Sequence, residues 1–127
     1  MLATSRLQTL VWTSRKEEAR LFYCDVLGLP LRGESHGALV YDVGGCELRV
    51  SPVPETAPSA HTVVGFSVAD VPAAVAVLAS RGVAFEHFSG FQHDETGVWS
   101  APDGAKVAWF RDPDGNLLSV VQYASVR

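Results

Sequence analysis

The pattern of apolar and polar positions predicts that one arrangement of elements occurs twice along the chain. Residues 7–13 alternate as a β-strand does, and the apolar positions from Ala19 to Leu27 follow the i, i+3, i+4 spacing of an amphipathic helix. Short extended segments divided by glycine turns come next. After a proline-rich segment the same order returns, with a strand near residues 61–68 and a second helix. The chain therefore predicts the order βαβββ twice.

These repeats place the chain in the α+β class and suggest its organisation. We expect one domain over residues 1–127, with a first module at about 5–53, a connector at 54–60 and a second module at about 61–123. Among the extended segments of the second module, residues 83–88 have the composition of a strand. Two Pro-Asp-Gly turns, at 102–104 and 113–115, bracket another strand.

Capping residues predict where the two helices begin and end. Ser14 followed by Glu17 is typical of a capping box, and Gly28 follows the first helix. Asp70 is a favourable N-cap for the second helix, and Gly82 closes it.

Landmarks shared by the two modules align their strands and assign faces to them. Matching first strands pairs Gln8 with Val63, and matching last strands pairs Arg49 with Ser119. Alternation then gives one face that would line a cavity. That face holds Gln8, Leu10, Trp12, Glu47, Arg49, Ser51, His61, Val63, Leu117, Ser119, Val121 and Tyr123. The opposite face, which includes Val11, Val64, Phe66, Leu118 and Val120, would meet the helices.

The segments "LFYCDVLGLPL" and "FRDPDGNLLSVVQ", set within a duplicated βαβββ plan, resemble the vicinal oxygen chelate superfamily. That group includes glyoxalase I, the extradiol dioxygenases, fosfomycin-resistance enzymes and bleomycin-resistance proteins. The resemblance implies two tandem modules that form a U-shaped mixed sheet around a cavity, and a homodimer. Because one fold supports many activities, the site must decide the function.

Metal-dependent members of this superfamily place ligands at four positions on the first and last strands of the two modules. The resemblance carries these positions to Gln8, Arg49, Val63 and Ser119. A permanent cation, an alkyl side chain and a neutral hydroxyl are poor ligands, so we expect no metal. A strand slip of two residues would instead bring together Gln8, Glu47 and His61, a set able to bind one divalent ion.

The remaining candidates suggest a small-molecule site. A buried Arg49 needs an anion, either Glu47 on the same face or a ligand carboxylate or phosphate. Gln8, Trp12, Trp99 and Ser119 would line the site with it, Trp99 stacking on a planar ligand. His93 and Glu47 are the candidates for acid–base catalysis.

Composition excludes several classes of partner. Of 127 residues, 47% are hydrophobic and 19% charged, with a formal net charge of −4, so the chain has the composition of a folded domain and lacks the basic surface that binds nucleic acid. The first residues do not have the pattern of a leader, and no apolar run is long enough to span a membrane, so we expect a cytoplasmic protein. Cys24 and Cys46 are expected to be reduced thiols.

Three functions fit these observations. The first is a superfamily member without the metal, which binds a small planar or anionic organic molecule and whose reaction, if any, is undefined. The second is a metal-dependent lyase, isomerase or dioxygenase of the glyoxalase type. The third is a non-catalytic dimeric module with a filled cavity. The sequence leaves open whether the protein is an enzyme.

Overall fold

The structure, a computed structural model, describes residues 1–124. Over this range the predicted order βαβββ is confirmed and occurs twice. The elements are β1 (Gln8–Thr13), α1 (Lys16–Leu21), β2 (Leu31–Ser35), β3 (Ala38–Val43), β4 (Cys46–Pro52), β5 (Thr62–Ser67), α2 (Val71–Ser80), β6 (Trp99–Ser100), β7 (Lys106–Arg111) and β8 (Leu117–Gln122). A 3-10 turn, Leu2–Thr4, precedes β1, and a π-helical turn, Phe22–Val26, continues α1.

Each module forms a four-stranded mixed sheet, which confirms the α+β class. The strand orders are β1-β4-β3-β2 and β5-β8-β7-β6. In each sheet the first and last strands of the module run parallel, and the other pairs are antiparallel. The helix between the first two strands of each module makes this parallel connection possible.

The described chain divides into two compact units. The first consists of Met1–Pro58 with Pro113–Gly115, and the second of Ser59–Asp112 with the chain from Asn116 onward. The boundary between Pro58 and Ser59 lies inside the predicted connector. The Pro-Asp-Gly turn between β7 and β8 therefore belongs to the first unit. Among the helices in residues 1–124, none has the length and apolar character of a membrane-spanning segment.

One face of the first sheet is buried against its helix, as the alternation predicted. Val11, Leu48 and Val50 are at most 2% exposed, whereas Leu10 and Trp12, on the opposite face, are 44% and 53% exposed. The buried set is completed by Ala19 and Tyr23 of the helical segment and by Leu39 and Tyr41 of β3. Burial of these apolar side chains is the main force that holds the helix to the sheet.

The first helix begins without the predicted capping box. Its N-cap is Arg15, and no side chain caps it. The Ser14 hydroxyl donates instead to the Asp114 carboxylate, at 2.8 Å. A charged acceptor forms a stronger hydrogen bond than a neutral one, and it competes successfully for this hydroxyl. The prediction of a capping box between Ser14 and Glu17 is therefore wrong.

The Asp114 carboxylate joins three segments of the first unit. It accepts hydrogen bonds from the Thr13 hydroxyl at 2.5 Å, the Ser14 amide at 2.8 Å and the Thr56 hydroxyl at 2.7 Å, in addition to the Ser14 hydroxyl. Burial raises the pKa of this carboxyl, but the hydrogen bonds outweigh burial and lower its pKa below 3.8. The charged carboxylate of Asp114 thus links its own turn, residues 113–115, to β1 and to the connector through hydrogen bonds.

The second helix is capped as predicted. Asp70 accepts a hydrogen bond from the Ala73 amide at 3.0 Å, and Gln122 of β8 accepts one from the Val71 amide at 2.9 Å. Gly82, at φ +92°, follows the helix in the left-handed conformation that glycine tolerates. The helix packs on β7 and β8.

Residues 83–88 do not form the predicted strand. Phe85 makes an isolated bridge to Phe110 of β7, and the Glu86 amide donates to the Trp109 carbonyl at 2.8 Å. The other end of the same edge of β7 is occupied by β6, where Trp99 pairs with Val107. Two short segments therefore share one sheet edge, and neither has room for a full strand there.

The strand registers agree with the alignment that pairs Arg49 with Ser119. Leu10 lies opposite Arg49 in the first sheet, and Gly65 lies opposite Ser119 in the second. Val63, the counterpart of Gln8, falls in an irregularity of the β5–β8 ladder between Thr62 and Val64.

Candidate functional site

A pocket of about 500 Å³ lies on one face of the second sheet. It belongs entirely to the second unit, and we call it the second-sheet pocket. Its lining residues are Thr62, Gly65, Ser67, Trp99, Ala101, Asp103, Ala105, Val107, Ser119, Val121 and Tyr123. A volume of this size is typical of a site for a small organic molecule.

Small side chains along neighbouring strands create the space. Ser67 lies opposite Val121, and Val121 pairs in turn with Val107 of β7. Gly65 lies opposite Ser119, and a Cβ atom at Gly65 would be 3.1 Å from the Ser119 Oγ. A larger residue at this position would press against the Ser119 hydroxyl, so Gly65 keeps that part of the pocket open.

Ser119 supplies a hydroxyl to the pocket. The residue is 7% exposed, and its hydroxyl makes no hydrogen bond to any other residue that the structure describes. Among the described residues no buried side-chain nitrogen or oxygen lacks a hydrogen-bond partner, so the unpartnered Ser119 oxygen must be accessible from the pocket. The Ser119 hydroxyl is therefore available to a bound molecule.

The other end of the pocket is open to solvent. Tyr123 is 63% exposed there. The neighbouring turn brings Asp103 into the lining, and a Cβ atom at Gly104 would lie 3.4 Å from the side chain of Ala124. One carboxylate oxygen of Asp103 accepts a hydrogen bond from the Ala105 amide at 3.0 Å. The pocket thus has a neutral end near Ser119 and an acidic end near Tyr123.

Trp99 connects the pocket to a cluster of rings formed by residues 88–99 and β7. Its ring centroid lies 4.9 Å from that of Phe91 and 6.2 Å from that of Trp109. Phe88 is also in edge contact with Trp109, at 5.4 Å. Edge-to-face contacts at these distances are favourable. They hold the Trp99 ring in place where it lines the pocket.

His93 lies within this cluster and organises the loop. Its Nε2 accepts a hydrogen bond from the Phe88 amide at 3.0 Å, and its Nδ1 lies 2.8 Å from the Gly97 carbonyl oxygen. A carbonyl can only accept, so Nδ1 carries the proton and the ring is the neutral tautomer. With both nitrogens occupied, His93 holds the loop together and has no free nitrogen for acid–base chemistry in this conformation.

The 94–98 turn next to His93 is built around another carboxylate. Asp94 Oδ1 accepts hydrogen bonds from the Thr96 amide, the Thr96 hydroxyl and the Val98 amide, at 2.6 to 3.0 Å. The hydrogen bond from the Thr96 hydroxyl is the largest cause of a lowered Asp94 pKa. Gly97, at φ +102°, has no room for a Cβ atom, which would lie 2.7 Å from the Cβ of Phe85. These contacts hold the 94–98 turn, which leads directly into Trp99, in one conformation.

The other predicted site residues lie on the open face of the first sheet. Arg49 Nη1 is 3.3 Å from Glu47 Oε2, and Arg49 Nη2 donates to the Ser35 carbonyl at 2.9 Å. Of the two partners considered for Arg49, the structure therefore shows the protein carboxylate. Gln8 lies opposite Glu47 in the ladder, and Trp12 lies further along the same face.

The residues at the predicted metal positions do not form a set of ligands that suits a divalent ion. Glu47 is already paired with the Arg49 guanidinium, which would repel a cation. Val63 has no ligand atom, and Ser119 is a neutral hydroxyl. In the part of the chain that the structure describes, no group of three or more His, Cys, Asp or Glu side chains is placed to hold a metal ion.

Sequence reasoning identified two residues of the second-sheet pocket as ligand-binding, Trp99 and Ser119. Tyr123 was assigned to the cavity face by alternation, and the structure places it in the pocket lining. Asp103 was interpreted only as part of a turn. A signal for it existed, because the 102–104 turn lies directly between two strands whose alternate residues line the cavity.

Comparison with known proteins gives a family match over most of the chain. The sequence profile of the Glyoxalase/Bleomycin resistance protein/Dioxygenase superfamily matches residues 6–120. A search of curated proteins gives no match.

Three solved structures illustrate the similarity of fold. A lactoylglutathione lyase from Agrobacterium tumefaciens is 19% identical, with 94% of this chain and 93% of that one covered and a TM-score of 0.72. A superfamily member from Sphaerobacter thermophilus is 19% identical, with coverages of 97% and 100% and a TM-score of 0.74. Another from Nocardioides is 18% identical, with coverages of 94% and 83% and a TM-score of 0.69. At these identities the likeness concerns the fold.

Proposed function

This chain belongs to the Glyoxalase/Bleomycin resistance protein/Dioxygenase superfamily, and we propose that it binds a small planar organic molecule in the second-sheet pocket without a metal ion. The observation that carries the proposal is the pocket itself. It joins mostly apolar or small walls to the Ser119 hydroxyl, which is accessible from the pocket and has no partner among the described residues. Such a combination of apolar surface and a few directed polar groups is characteristic of small-molecule sites.

The walls favour a flat molecule. Trp99 presents an aromatic ring held by Phe91 and Trp109, and its face or edge can pack on a planar ligand. The Ser119 hydroxyl can both donate and accept, so it can satisfy either kind of polar atom at the buried tip of that ligand.

The first sheet gives less support to an anionic ligand. Arg49 was the predicted anchor for such a ligand, but its guanidinium is engaged by Glu47 and by the Ser35 carbonyl. An anion would have to compete with these contacts. We therefore assign binding to the second-sheet pocket and propose no catalytic residue.

Calorimetric titration with 2-naphthylethanol, a flat neutral probe, tests the binding function. From its size we expect a dissociation constant between about 1 μM and 1 mM. Ser67 lines the pocket and is exposed, so Ser67→Phe adds a ring to the pocket with little disturbance of the core. This variant should abolish measurable binding.

Ser51→Phe provides the matched control, since Ser51 lies on the open face of the first sheet, opposite Trp12. It should bind the probe as the unchanged protein does. Equal binding by the Ser67→Phe variant, or no binding by the unchanged protein, would contradict the proposed function.

A second copy of the chain remains the proposed protein partner. Leu10 and Trp12 are exposed on the open face of the first sheet, and apolar surface of this kind supports association. Sedimentation velocity of the unchanged chain should show a dimer, and a monomer at all concentrations would contradict this.

A further inference from the structure

We infer that the ligand of the second-sheet pocket is an organic cation, with a flat apolar body and an amine or amidine group at its solvent-exposed end. The inference rests on the proposed binding function and specifies the class of ligand. It follows from the charge of the pocket, the positions of its polar groups and the aromatic rings near them.

The charge of the pocket lining is negative. Asp103 is the one charged residue among the lining residues, all of which lie in the described range. Its Oδ1 accepts a hydrogen bond from the Ala105 amide, whereas its Oδ2 makes no hydrogen bond or ion pair with a described residue. A cationic group near the opening would therefore find a free carboxylate oxygen, and a charge-assisted hydrogen bond could form there.

The positions of the polar groups define the shape of the ligand. Ser119 and Tyr123 line the same pocket along one extended segment, over a distance of about 13 Å. Ser119 is 7% exposed and Tyr123 is 63% exposed. A ligand that reaches both ends places its neutral polar atom at the Ser119 hydroxyl and its charge in the solvated opening, where a charge costs little to keep.

The aromatic residues add to this preference. Tyr123 lines the exposed end, and Trp99 forms the wall between the ends. Cations are attracted to the faces of tyrosine and tryptophan rings by the ring quadrupole. An anionic ligand of the same shape would lie beside Asp103 with no lysine or arginine among the lining residues to balance it, and like charges repel.

Calorimetry with three matched probes tests the inference. The probes are 2-naphthylethylamine, which is cationic, the neutral 2-naphthylethanol and the anionic 2-naphthylacetate. We expect the cation to bind about two- to fivefold more tightly than the neutral probe, because an exposed ion pair contributes this much. The anion should bind more weakly than both. The preference for the cation should shrink at about 0.5 M salt.

The substitution Asp103→Asn removes the charge but keeps an oxygen that can accept the hydrogen bond from the Ala105 amide. In this variant the cation and the neutral probe should bind within about twofold of each other. Glu95→Gln is the matched control, since Glu95 is exposed, lies outside the pocket lining and changes the net charge equally. That variant should keep the full preference.

The outcomes separate the two proposals. If the neutral probe binds in the pocket and the cation binds no more tightly, the charge inference is overturned while the binding function stands. A preference for the cation that persists in Asp103→Asn also overturns it. If none of the three probes binds, the binding function and the charge inference fail together.

Discussion

At the scale of single residues, two polar groups illustrate opposite situations. Asp114 is surrounded by donors from Thr13, Ser14 and Thr56, whereas the Ser119 hydroxyl has no partner in residues 1–124. Both residues are less than a tenth exposed. A buried carboxylate with many partners stabilises the fold, and a hydroxyl that is accessible from a pocket and has no protein partner is available for a ligand. Substitution should separate these roles.

Asp114→Asn should lower the free energy of unfolding by about 1–3 kcal/mol, because it removes the charge that strengthens several hydrogen bonds. Urea unfolding at neutral pH measures the loss. Asp25→Asn, an exposed carboxylate in the same unit, should change stability by less than about 0.5 kcal/mol. An equal effect of the two substitutions would contradict the account.

The lowered pKa of Asp114 predicts how stability depends on pH. The folded-state pKa lies below 3.8, so the charged form contributes stability above about pH 4, and this contribution is lost as the pH falls through the folded pKa. Between about pH 4 and pH 2 the unchanged protein should therefore lose more stability than Asp114→Asn does. Parallel curves for the two proteins would show that Asp114 does not carry this dependence.

Ser119→Ala should leave stability almost unchanged, within about 0.5 kcal/mol, because the hydroxyl has no partner to lose. The same change should weaken the binding of 2-naphthylethanol about two- to tenfold, the contribution of one hydrogen bond. Ser51→Ala, on the first sheet, should alter neither quantity. A large loss of stability in Ser119→Ala with unchanged binding would mean that the hydroxyl has a structural role instead.

At the scale of elements, the loop that leads to β6 depends on His93. The neutral ring accepts from the Phe88 amide and donates to the Gly97 carbonyl. His93→Phe keeps an aromatic ring in the cluster but leaves both backbone groups without these partners. We expect a loss of about 1–3 kcal/mol in the free energy of unfolding, measured with urea.

The same variant should also loosen Trp99, so that its indole fluorescence is quenched more readily by acrylamide. His61→Phe is the control, since His61 is exposed and lies outside the loop. If His93→Phe were as stable as this control, the two hydrogen bonds would not hold the loop.

The elements show which parts of the fold the sequence could predict. Local signals were sufficient where they acted within a few residues, as with the Asp70 cap and the Gly82 end of the second helix. They failed where a distant group competed. Ser14 has the local pattern of a capping residue, but its hydroxyl bonds to Asp114, 100 residues away, and no nearby position indicates this.

Competition for a sheet edge explains the other failure among the elements. Residues 83–88 have the composition of a strand, but β6 occupies part of the edge of β7 that they would need. Composition gives a preference for extended structure, but a strand forms only where a sheet edge is free to pair with it.

At the scale of the whole molecule, the two modules share a register but differ at equivalent positions. Arg49, engaged by Glu47, corresponds to Ser119, whose hydroxyl is free of described partners. Trp12 corresponds to Ser67, where the small side chain contributes to the pocket. The alignment of the modules was predictable from their turns, and Trp99 and Ser119 were predicted as candidates, but the pocket that contains them was not. A cavity depends on the summed volumes of side chains from several strands.

Sequence reasoning also did not predict the negative charge of the second-sheet pocket lining. Arg49 suggested an anionic ligand, because a half-buried guanidinium needs an anionic partner. In the structure the Glu47 carboxylate is that partner. The carboxylate of Asp103 enters a pocket only because its turn lies beside the end of β8. The position of this turn between two strands whose alternate residues line the cavity was a usable signal for Asp103, but its closeness to the end of β8 is a feature of the folded sheet.

The most direct test of the central claim is to map the binding of 2-naphthylethanol by the amide chemical shifts of the isotope-labelled chain. We expect saturable shift changes at Gly65, Ser67, Ser119 and Val121, and in the indole signal of Trp99. The amides of Leu10 and Arg49, on the first sheet, should change little. Shift changes centred on the first sheet, or none at saturating probe, would contradict the assignment of the site.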